Sequence, residues 1–143
     1  MTSFSSSEEI RGDNMPLVRI EVRRNRTASE KGAVCEAVHS AMREALLIPE
    51  HDRQIRYIEY VPEDFQVPPG KTEDYTLVEL TIFQGRSMDA KKNLYQAVVR
   101  NLGSLGIAPE DVFIVLIESP PENWGVRGGV PASEVDLGFK IEV

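Results

Sequence analysis

The residues of this 143-residue chain best suited to chemistry are Pro16, Asp52 and Arg86. A proline whose nitrogen ends the chain is a secondary amine. A nearby cation and apolar walls lower its pKa towards neutrality, so it acts as a base or, once protonated, as an acid. An internal proline nitrogen is an amide and does neither. Residues 1–15 precede Pro16 here, so this chemistry requires a start at Met15 or removal of the leading segment, and one of these is expected. Read singly, each residue also has a plain role: Pro16 opens a strand where no amide donor is needed, Asp52 serves a turn or cap, and Arg86 is a solvated loop cation. Their convergence is what favours chemistry, and convergence depends on the elements that carry them.

Those elements repeat. Sixty positions on, Leu17-Val18 recurs as Leu77-Val78, Arg26 as Arg86, Lys31 as Lys91, Ala37-Val38 as Ala97-Val98, and Pro49-Glu50 as Pro109-Glu110. The chain is read as two copies of one unit. In the first, Val18, Ile20 and Val22 alternate with polar residues as a half-buried strand does. Thr27-Ala28-Ser29-Glu30 has capping-box spacing, and Val34, Ala37, Val38, Ala41, Met42 and Ala45 form a helical stripe that Pro49 stops. Residues 55–61 are the second strand. The second unit repeats the order with strand 77–83, helix 87–104 capped by Ser87, and the apolar run Val112 to Ile117. Pro62 to Tyr75 is a linker or exposed loop. A turn-rich stretch, Asn123 to Gly129, precedes an alternating strand with Leu137, Phe139, Ile141 and Val143, expected to pack on a partner subunit.

Strand–helix–strand units make their two strands parallel, and two such units pair their first strands antiparallel about a pseudo-twofold. The fold class is α+β: a four-stranded mixed sheet with two helices on one face. The start of strand one then lies beside the end of strand three and the start of strand two, so Pro16, Asp52 and Arg86 meet at one edge. The opposite edge gathers Thr76, Val112 and Arg26, where only the cation survives.

A net charge of −7, with Arg23, Arg24 and Arg26 as the only basic knot, excludes a general nucleic-acid binder. Met1 to Asn14 is Ser-rich and acidic without an apolar core, so it reads as neither a secretory signal nor a transit peptide, and no run reaches membrane-spanning length. Cys35 lies in the helical pattern and reads as a small core hydrophobe, consistent with a reducing, cytoplasmic setting. His39, beside the first helical stripe, reads as structural. The histidines lack ligand spacing with Cys35 or neighbouring carboxylates, so no metal site and no cofactor is expected.

Met15-Pro16-Leu17, Ala37-Val38-His39-Ser40-Ala41-Met42, Ile48-Pro49-Glu50-His51-Asp52-Arg53 and Gly85-Arg86-Ser87 resemble the tautomerase superfamily, in particular its fused two-unit members related to malonate semialdehyde decarboxylase. Asn123 to Gly129 with Ala132-Ser133-Glu134 is similar to the closing hairpin of the 4-oxalocrotonate tautomerases. The resemblance spans residues 15 to about 130. It implies a tautomerase/MIF-like fold with a C-terminal hairpin: an extension over 1–14, disordered, then one domain over 15–143, with units 16–61 and 76–119 and a hairpin and strand over 120–143. It implies a cofactor-free enzyme and a homotrimer, with Pro16 as general acid–base, Asp52 positioning or assisting it, Arg86 binding a substrate carboxylate and Trp124 walling the pocket. Where the decarboxylase carries a second arginine, this chain has Gln84, included as a substrate-contacting residue. The reaction expected is proton transfer on a small 2-oxo acid or its enol. The alternatives are decarboxylation of a 3-oxo acid or hydration of an unsaturated acid at the same site, or a non-catalytic oligomer with the amine blocked.

Overall fold

Alternation in two strands sets up the architecture. In the computed structural model, which describes residues 16–135, β1 (Leu17–Arg23) and β3 (Thr76–Phe83) bury Val18, Ile20, Val22, Val78, Leu80 and Ile82 almost completely. These side chains share one face of the sheet, and α1 (Ala28–Leu46) and α2 (Met88–Gly103) cover it with Val34, Val38, Met42, Leu94, Val98 and Leu102. The sheet runs β2-β1-β3-β4, with β2 (Ile55–Tyr60) and β4 (Val112–Ser119) outside. β1 and β2 are parallel, β3 and β4 are parallel, and β1 meets β3 antiparallel. The expected α+β architecture is therefore what forms. The expected extension over 1–14 and the alternating strand with Leu137, Phe139, Ile141 and Val143 lie outside the described residues.

Local chemistry explains the helix limits. The capping box at α1 is reciprocal: Thr27 Oγ1 accepts from the Glu30 amide at 3.2 Å, and the Glu30 carboxylate accepts from the Thr27 amide at 2.8 Å. Ser87 Oγ caps α2 by accepting from the Ala90 amide. α1 ends before Pro49: Leu47 turns left-handed (φ 57°) and its amide closes the last turn on the Arg43 carbonyl, so the proline only follows a stop already made. β4 runs two residues past Ile117, because Phe83 and Ser119 still pair. A short hairpin, β5 (Gly125–Val126) and β6 (Val130–Pro131), follows; its turn takes Arg127, Gly128 and Gly129 through positive φ, which the two glycines permit.

Register corrects the repeat at one point. Val18 pairs with Ile55 and Val78 with Ile114, so the outer strands are related by fifty-nine positions while the inner ones are related by sixty. The connection into β4 is one residue shorter. Asp111, not Val112, therefore corresponds to Asp52, and both are buried. The same slip brings Glu59 and Glu118 into equivalent places, each bonded at 2.8 Å to the matching lysine, Lys31 or Lys91.

Among the described residues, no helix is long and apolar enough to cross a membrane, and no cluster of His, Cys, Asp and Glu could hold a metal ion. Cys35 is half-buried against the core, and burial raises its thiol pKa. His39 is fully buried, and its Nε2 donates to the Glu50 carbonyl at 2.8 Å. That bond fixes the tautomer. Nδ1 is left unprotonated with no hydrogen-bond partner among the described residues, so protonating it buries a charge. Burial lowers the His39 pKa below its ordinary 6.5, against the opposing pull of the Glu50 carbonyl. The unfolded chain takes up this proton near its ordinary pKa and the folded chain only at lower pH, so the stability it contributes is full above that value and is lost as pH falls. Urea-unfolding midpoints between about pH 7 and 5 should therefore fall less steeply for His39→Gln than for the parent. Identical slopes would show that His39 does not hold off a proton.

Candidate active site

The sheet register brings the three chemistry-bearing residues to one end. The Val18 amide donates to the Gln54 carbonyl at 3.0 Å, which sets the approach to β2, Asp52-Arg53-Gln54, beside the start of β1. Leu17 pairs with Thr81, so Pro16 runs alongside the last residues of β3, and Arg86 follows three residues after Phe83. Pro16 and Asp52 are both buried, and the Asp52 amide closes a turn on the Pro49 carbonyl at 3.2 Å. His51 Nε2 stands 4.0 Å from the Asp52 carboxylate and pairs with it only when protonated.

Arg86 is the most unusual group at this end. Only 7% of the residue is exposed, yet among the described residues it makes a single hydrogen bond: Nη1 donates to the Phe83 carbonyl at 3.2 Å. Nε and Nη2, the two nitrogens of one guanidinium edge, are buried with no hydrogen-bond partner among the described residues. Burial pushes the Arg86 pKa down to about 10, against the pull of the Glu118 carboxylate, so the group remains a cation at neutral pH. Glu118 itself is tied to Lys91. A buried cation with an unpaired donor edge has the geometry to hold the two oxygens of a carboxylate, which would add bonds to it and balance its charge.

The tight turn into Arg86 is made by Gly85 at φ 125°, a conformation that side chains avoid. Gln84 is exposed; its amide extends the ladder to the Ser119 carbonyl at 3.0 Å. Trp124 packs on Phe83 with ring centroids 4.5 Å apart, and Ala132, Val126 and Val135 complete a small apolar cluster over the end of β3. The Trp124 indole N–H is buried without a hydrogen-bond partner among the described residues. Sequence reading did not find Phe83, whose carbonyl holds Arg86 and whose ring holds Trp124. Nor did it find Glu118, which the repeat reveals only when shifted by one.

The opposite end differs from expectation. Val112 is not its acidic counterpart; Asp111 is, and it accepts from both the amide and the hydroxyl of Thr72, which hold its carboxyl below the usual range. That end keeps a carboxylate as well as the cation.

Comparison with known proteins agrees with the fold. A family model described as tautomerase enzyme matches residues 52–127, and a second with the same description matches residues 16–72. The probable tautomerase YusQ of Bacillus subtilis (strain 168) is 30% identical over 121 residues, covering 80% of this chain and 95% of its own. The chain belongs to the tautomerase family. Among solved structures, a malonate semialdehyde decarboxylase inhibited by 3-bromopropiolate superposes with a TM-score of 0.71 at 28% identity, covering 76% of this chain and 86% of that one. A fused 4-OT, a symmetric trimer, superposes at 0.72 with 26% identity, covering 82% and 96%.

An arginine buried with unpaired nitrogens is a burden on the fold, because its desolvation is only partly offset. Arg86→Met should therefore leave the melting temperature unchanged or raise it. A loss above about 1 kcal/mol, the scale of a structurally committed ion pair, would show that the guanidinium is already satisfied by the protein.

Proposed function

We propose that this protein is a cofactor-independent tautomerase acting on a small 2-oxo acid or its enol. The Nε and Nη2 edge of buried Arg86, unpaired among the described residues and at the sheet end shared with Pro16 and Asp52, carries this reading. In it, the mature chain begins at Pro16. The free prolyl nitrogen takes a proton from the carbon alpha to the substrate carbonyl and returns it at another carbon. Asp52 orients the amine or relays a proton to it, and Arg86 binds the carboxylate and stabilises negative charge as it spreads towards the enolate. The Phe83–Trp124 pair walls the pocket and limits water, and Gln84 reaches the substrate from the rim.

Gln84 also favours proton transfer over decarboxylation. With Arg86 as the cation that binds it, the substrate has one anchored carboxylate, and loss of that carboxylate as carbon dioxide would remove its own anchor. The similarity to a malonate semialdehyde decarboxylase keeps decarboxylation or hydration as the second reading, tested by product analysis on the same preparation.

We further assign a homotrimer working in the cytoplasm. Phe113 and Ile117 of β4, 55% and 41% exposed on the side of the sheet away from the helices, give subunits an apolar surface to share, and fused 4-OT neighbours are trimers.

Intact-mass analysis of active protein should find Pro16 as the first residue. In that form Pro16→Ala should lower enol–keto turnover by about a hundredfold or more with an unchanged melting temperature, and Arg86→Ala should raise KM for 2-oxo acids. Full activity in a chain that keeps residues 1–15, or in the Pro16→Ala variant, would remove the amine from the mechanism and favour another activity or a non-catalytic role.

A further inference from the structure

Resting on the carboxylate role proposed for Arg86, we propose that the far end of the sheet holds a second acid-binding pocket, built on Arg26, which the linker before β3 occupies with its own carboxylate, Asp74. The two ends are related by the repeat: Arg26 corresponds to Arg86, and Asp111 to Asp52 by register. What differs is occupancy.

The Arg26 side chain is only 10% exposed, and its Nη2 lies 3.8 Å from Asp74 Oδ1. Nη1 donates to the Tyr57 hydroxyl at 3.2 Å, and Asn25 Nδ2 donates to Asp74 Oδ1 at 2.9 Å. Asp74 is held in place from both sides: its amide donates to Thr72 Oγ1 at 3.1 Å, and its carbonyl accepts from Thr76 Oγ1 at 2.8 Å. Thr72 in turn satisfies both oxygens of buried Asp111. One short segment thus neutralises the cation that corresponds to Arg86 and caps the carboxylate that corresponds to Asp52.

Space is already present beside the pair. A cavity of about 230 Å³ borders Arg26 and Asp74 and is walled by Val34, Leu105 and Ile107, ample for a small acid when a water takes about 30 Å³. Glu30 also borders it, but its carboxylate is engaged by the Thr27 amide. A guanidinium in a mixed pocket, polar at Asn25 and apolar at Val34, Leu105 and Ile107, suits a small carboxylate. Thr76 stands where Pro16 does in the first unit, so this pocket would bind such an acid without supplying an amine base.

Removing the tethered carboxylate should therefore expose the site. Malonate, titrated into the full chain and followed through the arginine Nε–H resonances, should shift Arg86 but not Arg26 in the parent. In Asp74→Asn, which keeps the side-chain shape and an acceptor for Asn25, malonate should shift both, with affinity at Arg26 raised about fivefold or more. Adding Arg26→Gln should abolish the second binding event. Asp74→Ala should behave like Asp74→Asn; if it does not fold, Asp74→Asn alone decides. An Arg26 resonance as silent in Asp74→Asn as in the parent, at malonate concentrations that saturate Arg86, would overturn the proposal and leave the reading of Arg86 intact. The converse, Arg26 responding in the variant while Arg86 is silent throughout, would sustain this pocket and remove the carboxylate role of Arg86.

Discussion

A buried cation with Nε and Nη2 unpaired among the described residues is the constraint on which the candidate site depends. Arg86 gains one bond, from the Phe83 carbonyl, and distant help from Glu118; against that stands the desolvation that draws its pKa down to about 10. Such a group persists only if its surroundings over-determine it. They do so here through the end of β3: the Phe83–Ser119 pair, the positive-φ turn at Gly85 and the Phe83–Trp124 contact fix where the guanidinium emerges. The apolar layer between sheet and helices, from Val18 to Leu102, is what makes that strand end rigid enough to aim a side chain.

Duplication supplies two such ends and the linker distinguishes them. At one, the register brings Pro16, Asp52 and Arg86 to the same end, with the Nε and Nη2 edge of Arg86 unpaired among the described residues. At the other, Thr72 and Asp74 close equivalent groups with hydrogen bonds and an ion pair. Sharing one backbone plan, the two ends differ in the segment that enters the strand, which at the far end brings Thr72 to Asp111 and Asp74 to Arg26. This is the physical meaning of tautomerase-family membership for this chain: the fold places a cation and a carboxylate beside a strand start, and what occupies that start determines the chemistry available.

Much of this was legible in the amino-acid order. Capping residues Thr27 and Ser87, the stripe from Val34 to Ala45, and alternation in β1 and β3 all rest on local periodicities, and local periodicity survives folding. The one-residue slip was not legible. Pro49-Glu50 and Pro109-Glu110 match without a gap, so they carry an ungapped alignment past the helix and assign Val112 to the place of Asp52; only inter-strand pairing reveals Asp111. The stop at Leu47 was also hidden, because a leucine in left-handed geometry has no signature of its own. Backbone groups account for the rest: the Phe83 carbonyl that holds Arg86 belongs to no side-chain pattern.

The decisive measurement is a crystal structure of the protein grown with malonate. The account predicts a carboxylate seated on Arg86 with bonds of about 2.7–2.9 Å from Nε and Nη2, beside Pro16 and Asp52. A guanidinium edge already filled by the protein's own atoms, with malonate absent or bound elsewhere, would contradict it.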